Sequence, residues 1–105
     1  MIQLTTFYGH PQDEAAFDRY YQEKHVPLAR QLPGLKGYTY NKLSAFDQQT
    51  QPPIYMLVQM YFEDQKALQA ALQSPEGQAA VGDVPNFATG GATLLVGEVQ
   101  QVALL

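Results

Sequence analysis

"IYMLVQMYF", residues 54–62, is the segment that decides the fold. Its β-branched and aromatic residues predict a β-strand, in which successive side chains point to opposite faces of a sheet. One face would carry Ile54, Met56, Val58, Met60 and Phe62, and the other Tyr55, Leu57, Gln59 and Tyr61. Neither set is typical of a face exposed to water, so we expect both faces of this strand to be covered.

The segments on either side of this strand show strand and helix patterns in turn. Residues 1–8 are rich in β-branched and aromatic types and end at the turn GHPQD, whose Asp13 is predicted to be the N-cap or a first-turn carboxylate of the following helix. The polar loop 47–53 joins the second strand to the third, and we expect these two strands to pair as a hairpin. The other predicted elements are a helix over 14–25, a strand over 35–46, a helix over 63–74, a short helix from Pro75 to about Gly82 with Ser74 as its N-cap, and a last strand over 92–104.

This order, β-α-β-β-α-β, predicts an α+β ferredoxin-like fold with a four-stranded antiparallel sheet and helices on one face. Two helices cannot cover both faces of the sheet. An uncovered apolar face indicates an interface, and the same face of a second copy across a two-fold axis is the simplest partner. We therefore expect a homodimer whose sheets pack face to face.

Composition limits the classes of partner. The 105 residues suffice for one domain, which we expect to span residues 1–105. Six Lys and Arg against ten Asp and Glu give a net charge of -4, so we expect neither nucleic acid nor a membrane surface as a partner. The chain has no cysteine, no long apolar segment and no basic leader pattern at its start, from which we expect a cytoplasmic protein.

His25, one of two histidines, is the main candidate for chemistry. It follows Phe17 and Tyr21 at four-residue spacing, which turns it toward the sheet. Pro27 has no N–H and disfavours the α region for Val26, so we expect the helix to end or kink near His25. An imidazole at a helix end can titrate near neutrality and act as a general acid or base. The alternative is a structural histidine that hydrogen-bonds the backbone carbonyls freed by Pro27.

Other residues that carry chemistry are few. Two histidines without cysteine do not make a closed zinc site, and no phosphate-binding glycine motif or serine nucleophile elbow occurs, so we predict no metal and no cofactor. His10, in the turn after the first strand, is expected to be an exposed loop residue. The seven tyrosines suit a pocket for a planar ligand, and they equally suit strands and an interface.

Three motifs carry a resemblance to a known family: HVPL at 25–28, LPGLKGY at 32–38 and SPEGQAAVGDVPNF at 74–87. In this order and spacing, over nearly the whole chain, they resemble the EthD-like proteins of the dimeric α+β barrel superfamily. The resemblance implies a ferredoxin-like protomer that pairs through its sheet into a barrel. It also places the histidine of the family's H-x-P-L pattern on His25.

Members of that superfamily include small enzymes that isomerise, cyclise, decarboxylate or oxygenate cyclic and aromatic compounds without an organic cofactor, and also haem-degrading monooxygenases. The resemblance implies a cleft between helices and sheet, with His25 as the catalytic residue. We expect the cleft to hold a small apolar or aromatic compound through Thr6, Tyr8, Tyr21, Tyr38, Asn86 and Phe87. Three functions stay open: a cofactor-free catabolic or biosynthetic isomerase, cyclase or decarboxylase; a non-catalytic binding protein for such a compound; and a haem-dependent monooxygenase with His25 as axial ligand.

Overall fold

An antiparallel sheet of four strands forms the centre of the protein, for which the computed structural model describes residues 1–105. The strands are β1 (Ile2–Tyr8), β2 (Gly37–Lys42), β3 (Met56–Phe62) and β4 (Ala92–Glu98). They lie in the order β2-β3-β1-β4, so the first strand of the chain is central and the last is at an edge. The predicted α+β ferredoxin-like fold is confirmed.

Helices lie over one face of this sheet. The helices are α1 (Glu14–Tyr20), a π-helical turn (Tyr21–His25), α2 (Val26–Ala29), α3 (Gln65–Gln73), α4 (Pro75–Asp83) and a 3₁₀ turn (Val84–Asn86). Asp13, Asp64 and Ser74 each accept a hydrogen bond from the backbone N–H three residues on, which confirms the predicted caps at Asp13 and Ser74. No helix has the length and apolar character that crossing a bilayer demands.

The core lies between the helices and the sheet. In the register of β1 with β3, Leu4 is opposite Met60 and Thr6 is opposite Val58, and all four side chains are buried. These residues have the strand parity expected for the helix side. Since β1 is central, its inward side chains form the floor on which the helices pack.

The helices leave β4 and the opposite face of the sheet uncovered. On the face away from the helices, Phe7, Leu57 and Tyr61 are only half-buried, and Leu95 beside them is 57 % exposed. Leu94 on the helix side of β4 is also 47 % exposed. The protomer therefore presents apolar side chains on both faces of its last strand.

The helix that carries His25 does not end where the sequence predicted. Val26 keeps α-helical angles (φ -55°, ψ -45°), and its N–H bonds the carbonyl of Tyr21, five residues back. This wider π turn lets the backbone continue past Pro27, which has no N–H to donate. Of the two predicted alternatives, an end of the helix is wrong: the helix changes locally from α to π geometry at Tyr21–His25 and continues as α2.

Two strand predictions also differ from the structure. Tyr55 precedes β3 and turns to the helix side, where its ring meets Phe17 edge-on at 5.3 Å and its hydroxyl donates to Asp18. The last strand ends at Glu98 because its partner on β1 there is Ile2, beyond which β1 offers no further strand. Residues 99–105 are consequently exposed.

His10 is not an exposed loop residue, contrary to the prediction. Its Nε2 lies 2.6 Å from the carbonyl oxygen of Pro52, and its ring meets Tyr55 edge-on at 5.8 Å. These contacts join the turn after β1 to the loop before β3. His10 therefore has a structural role away from His25.

Candidate functional site

A small apolar cavity lies between the helices and the sheet. Of the 14 residues that line it, 12 are hydrophobic, and the other two are Thr6 and His25. Its volume of about 50 Å³ is room for roughly three to five waters at 10–15 Å³ each. Val81 and Leu94 are lining residues that are about half exposed, so they mark the mouth of the cavity.

His25 lines this cavity and is 4 % exposed. Its Nδ1 lies 2.9 Å from the Oδ2 of Asp83, across the gap between the first helical segment and the end of α4. A carboxylate can only accept, so Nδ1 carries the hydrogen and Nε2 is left with the lone pair. The pair thus fixes the tautomer that leaves Nε2 free to act as a base.

Asp83 is held by two further donors. The Tyr20 hydroxyl donates to its Oδ1 at 2.6 Å, and the Asn86 amide donates to the same oxygen at 3.0 Å. Burial works to raise the pKa of Asp83, but the hydrogen bonds from Tyr20, Asn86 and His25 outweigh it and hold that pKa below its usual value. Asp83 is therefore a fixed carboxylate behind the imidazole.

The protonation of His25 reflects two opposing effects. Burial lowers the pKa of His25, and the attraction of Asp83 offsets this only in part, so the pKa stays below its ordinary value. The imidazole is therefore neutral at pH 7. Once it takes a proton, the resulting cation faces a carboxylate already in place, which is the arrangement that a general base requires.

Tyrosines supply the other polar groups around the cavity. The hydroxyls of Tyr21 and Tyr38 share a hydrogen bond of 2.7 Å, while the hydroxyl of Tyr8 takes part in no side-chain hydrogen bond of the kind made by Tyr20, Tyr21 or Tyr55. Burial is the main cause that raises the pKa of Tyr8 and of Tyr21. Both side chains stay protonated, so the Tyr8 hydroxyl can donate a hydrogen bond to a ligand oxygen.

Comparison with known proteins places the chain in a family. A family model described as the EthD domain matches residues 9–91. The chain belongs to the EthD family. A relative at 44 % identity over 102 residues is the uncharacterized 11.0 kDa protein in the thcB-thcC intergenic region of Rhodococcus erythropolis, with 97 % of this chain and 98 % of the relative covered.

Solved structures agree with membership of the EthD family. An ethyl tert-butyl ether D (EthD) family protein from Bacillus halodurans is 33 % identical, with a TM-score of 0.88 over 95 % of this chain and 99 % of that one. A dimeric ferredoxin-like protein of unknown function from Jannaschia sp. is 25 % identical, with a TM-score of 0.64 over 94 % of this chain and 100 % of that one. SnoaB, a cofactor-independent oxygenase from Streptomyces nogalater, shares the fold at 16 % identity, with a TM-score of 0.62 over 96 % and 93 % of the two chains.

Some of the predicted site residues of this EthD protein line the cavity, and the others contact the lining residues or Asp83 without lining it themselves. Thr6, Tyr8, Tyr21 and His25 line the cavity. The other three predicted residues, Tyr38, Asn86 and Phe87, do not line it; they contact Tyr21, Asp83 and the His25 ring, respectively. No group of three or more His, Asp or Glu side chains is placed to hold a metal ion.

Asp83 is the functional candidate of this EthD protein that the sequence analysis missed. It is the last residue of α4, and a carboxylate at the C-terminal end of a helix meets the negative end of the helix dipole. An acid at such a position needs a compensating partner. That local conflict between charge and position was the available signal, although it does not say which residue is the partner.

Proposed function

We propose that this EthD protein is a cofactor-free enzyme that moves a proton within a small cyclic or aromatic compound, with His25 as general base and acid. The 2.9 Å hydrogen bond between His25 Nδ1 and Asp83 Oδ2 carries the proposal. The bond favours the tautomer that leaves Nε2 free to accept a proton and stabilises the imidazolium that then forms, while burial keeps the imidazole neutral beforehand. A buried structural histidine does not require a carboxylate held by two other donors.

The proposed reaction is a proton shuttle. Nε2 of His25 takes the proton from a C–H beside a carbonyl group or from a phenolic O–H, and the bonding electrons stay on the compound as an enolate or phenolate. The Tyr8 hydroxyl donates a hydrogen bond to the oxygen on which the charge develops. If the imidazolium returns the proton to a different atom of the enolate or phenolate, the result is isomerisation. If the enolate carbon first adds to a second carbonyl carbon of the same compound and breaks its C–O π bond, the imidazolium protonates the resulting alkoxide, and the result is ring closure without an added reagent.

The wider comparisons support chemistry of this kind. SnoaB, which shares the fold, is described as a cofactor-independent oxygenase, so a scaffold of this architecture performs catalysis without a cofactor in that protein. The proposal gives His25 no role as an axial ligand of haem, because no Lys or Arg lines the cavity to pair with the carboxylates that haem carries.

The proposal includes a homodimer in which two sheets face each other. The uncovered face with Phe7, Leu57, Tyr61 and Leu95 supports it, because a soluble protomer rarely leaves such a surface bare. The Jannaschia protein of the same fold is described as dimeric. A second copy of this chain is therefore the proposed partner.

Hydrogen–deuterium exchange of a simple cyclic ketone tests the catalytic proposal. With cyclohexanone in D₂O, the wild-type protein should accelerate exchange of the protons beside the carbonyl, and ¹H NMR follows this exchange. In His25→Gln the exchange rate should be at least about tenfold lower than in the wild type. Asp83→Asn keeps the imidazole of His25, so its exchange rate should fall by a smaller factor than that of His25→Gln. His10→Gln is the matched control, since His10 lies away from the cavity, and it should exchange like the wild type.

Equal exchange rates in the wild type and in His25→Gln, with both proteins folded by circular dichroism, would contradict the proposal. If cyclohexanone then still shifts the NMR signals of Tyr21 and Leu94, the protein is a binding protein without turnover. That second result would support the accessory function instead.

A further inference from the structure

We propose that the ligand of this cavity is uncharged, and that carboxylates and phosphates are rejected. The inference rests on the proposed function, because it concerns the same cavity and names the class of compound on which His25 would act. It is carried by the distribution of charge around the cavity. Nothing in the general fold dictates that distribution.

Positive charge is absent from the cavity wall. All six Lys and Arg side chains are exposed, and none of them lines the cavity; they are Arg19, Lys24, Arg30, Lys36, Lys42 and Lys66. Lys42 is engaged besides, since its Nζ lies 2.6 Å from a carboxylate oxygen of Asp18. An anion inside the cavity would therefore find no cation of this chain to pair with.

Negative charge, by contrast, is already present. The buried polar and charged residues of the chain are Thr6, His25 and Asp83, and only Asp83 is a carboxylate. An anionic ligand beside His25 would face that carboxylate through the imidazole. It would also give up its water shell against a lining that is mainly hydrophobic, and an unpaired charge is costly to bury.

An uncharged ligand meets none of these costs. The Tyr8 hydroxyl can donate to a carbonyl oxygen, and Nε2 of His25 can accept from an acidic C–H or O–H. Because the inner space is only about 50 Å³, a compact polar end would occupy it, while an apolar remainder would extend past Val81 and Leu94 at the mouth. Cyclic ketones, lactones and phenols have this character.

The inference narrows the reaction classes. A decarboxylase must bind its substrate as a carboxylate, and this cavity offers that group no positive partner. Isomerisation and ring closure start from uncharged ketones or phenols, and the charge appears only after His25 has taken the proton. Decarboxylation therefore drops out, and the two proton-shuttle reactions remain.

Benzamide and benzoate form a matched pair of probes for this inference, because they have nearly the same shape and differ in charge at pH 8. We expect benzamide to shift the NMR signals of Tyr21, His25 and Leu94, and to bind at least about tenfold more tightly than benzoate. Benzoate that binds as well as benzamide overturns the inference. So does a titration in which neither compound shifts these signals.

A variant with an added cation provides a gain-of-binding test. Val81→Lys places an ammonium group at the mouth, on a side chain that is already half exposed, and should raise benzoate affinity at least about fivefold. Gln78→Lys adds the same charge to an exposed position of α4 outside the cavity lining, and should leave benzoate affinity unchanged. Equal gains in both variants would show a general charge effect and overturn the inference.

His25→Gln separates this inference from the proposed function. The preference for benzamide should survive in His25→Gln, because the missing cation causes it, whereas proton exchange on cyclohexanone should be lost. A lost preference with exchange that depends on His25 overturns the charge inference alone. A kept preference with exchange that ignores His25 overturns the catalytic proposal alone.

Discussion

Asp83 occupies a position that a carboxylate ordinarily avoids, being both buried and at the C-terminal end of α4. Three donors offset that cost, from Tyr20, His25 and Asn86. Hydrogen bonds to a charged group are shorter and stronger than those between neutral groups. The same three hydrogen bonds fix the orientation of the Asp83 carboxylate. The groups that stabilise Asp83 in this position therefore also orient the imidazole of His25.

The stability of the protein should depend on the protonation of His25. Because its pKa is lowered in the folded state, the unfolded chain, with an ordinary value near ~6.5, binds the proton more readily. The free energy of unfolding contributed by His25 is therefore intact above about pH 6.5 and falls as the pH drops through the lower folded pKa. Urea unfolding at pH 7.5 and at pH 5.5 should show this loss in the wild type.

His25→Gln should show a smaller loss of stability between the same two pH values. Lys24→Gln changes an exposed neighbour in the π turn that does not line the cavity, and it should keep the wild-type difference. An equal pH dependence in His25→Gln and in the wild type would count against the assigned protonation of His25.

The sequence predicted the position of a side chain correctly where the periodicity of a single helix was sufficient. Spacing placed Tyr21 and His25 on the buried side, and the structure has both in the cavity wall. Asp83 was missed because periodicity reveals which face of an element is buried, not which polar groups of two distant elements meet. His10 was misjudged for the same reason, since its partner Pro52 lies 42 residues away.

The π turn explains how four inward residues stay aligned at the scale of the helix. Phe17, Tyr21, His25 and Ala29 recur every four residues, and all are buried. In a regular α-helix each such step would drift by about 40° around the axis, since a residue turns by about 100°. The wider turn takes up part of that drift, so Tyr21 and His25 can line the same cavity.

The sequence signals at this scale were strong but incomplete. Caps and apolar periodicity predicted the helices, because these signals are local. The proline rule predicted a break because it assumes hydrogen bonds to the fourth preceding carbonyl. The N–H of Val26 instead bonds the fifth preceding carbonyl, that of Tyr21, so the assumption does not hold here. Local sequence signals do not distinguish this π hydrogen bond from the end of a helix.

The corner between α3 and α4 should be intolerant of a single methyl group at Gly77. A Cβ there would collide with the carbonyl oxygen of Ala71 and with the backbone of Leu72. Gly77→Ala should therefore cost at least about 2 kcal/mol of unfolding free energy, measured by urea denaturation. It should also disturb Asp83, which the same helix carries.

Gly82→Ala is the matched control in the same helix. Nothing lies within 4 Å of a Cβ at Gly82, so this variant should be neutral or more stable by up to about 1 kcal/mol. Equal stabilities of the two variants would mean that α3 and α4 do not meet as closely as described.

The protomer as a whole is a flat body, with extents of 42 × 39 × 19 Å. One broad face belongs to the helices and the other is the bare sheet. The sequence predicted this arrangement, because two-sided apolar strands with too few helices leave a face uncovered. It did not predict that β4 would be exposed on both faces, and the strand that it predicted over residues 92–104 was longer than the one observed.

A charged residue on the bare sheet face should prevent the proposed dimer. Leu95→Lys adds a cation that would be buried against the facing copy. The dissociation constant of the dimer, measured by analytical ultracentrifugation, should therefore increase at least about tenfold. Gln69→Lys, on the exposed side of α3, should sediment like the wild type. A dimer of unchanged affinity in Leu95→Lys would rule out this face as the interface.

The central position of β1 in the sheet also determines when this strand can complete its pairing during synthesis of the chain. Its two neighbours are β3 and β4, and its pairing of Ile2 with Glu98 joins two residues that are far apart in the sequence. At about 5–20 residues per second, the ribosome needs roughly 5–20 s to supply that final neighbour. Throughout this interval the oldest strand has a free edge, and the nascent protein depends on its surroundings to keep that edge from pairing elsewhere.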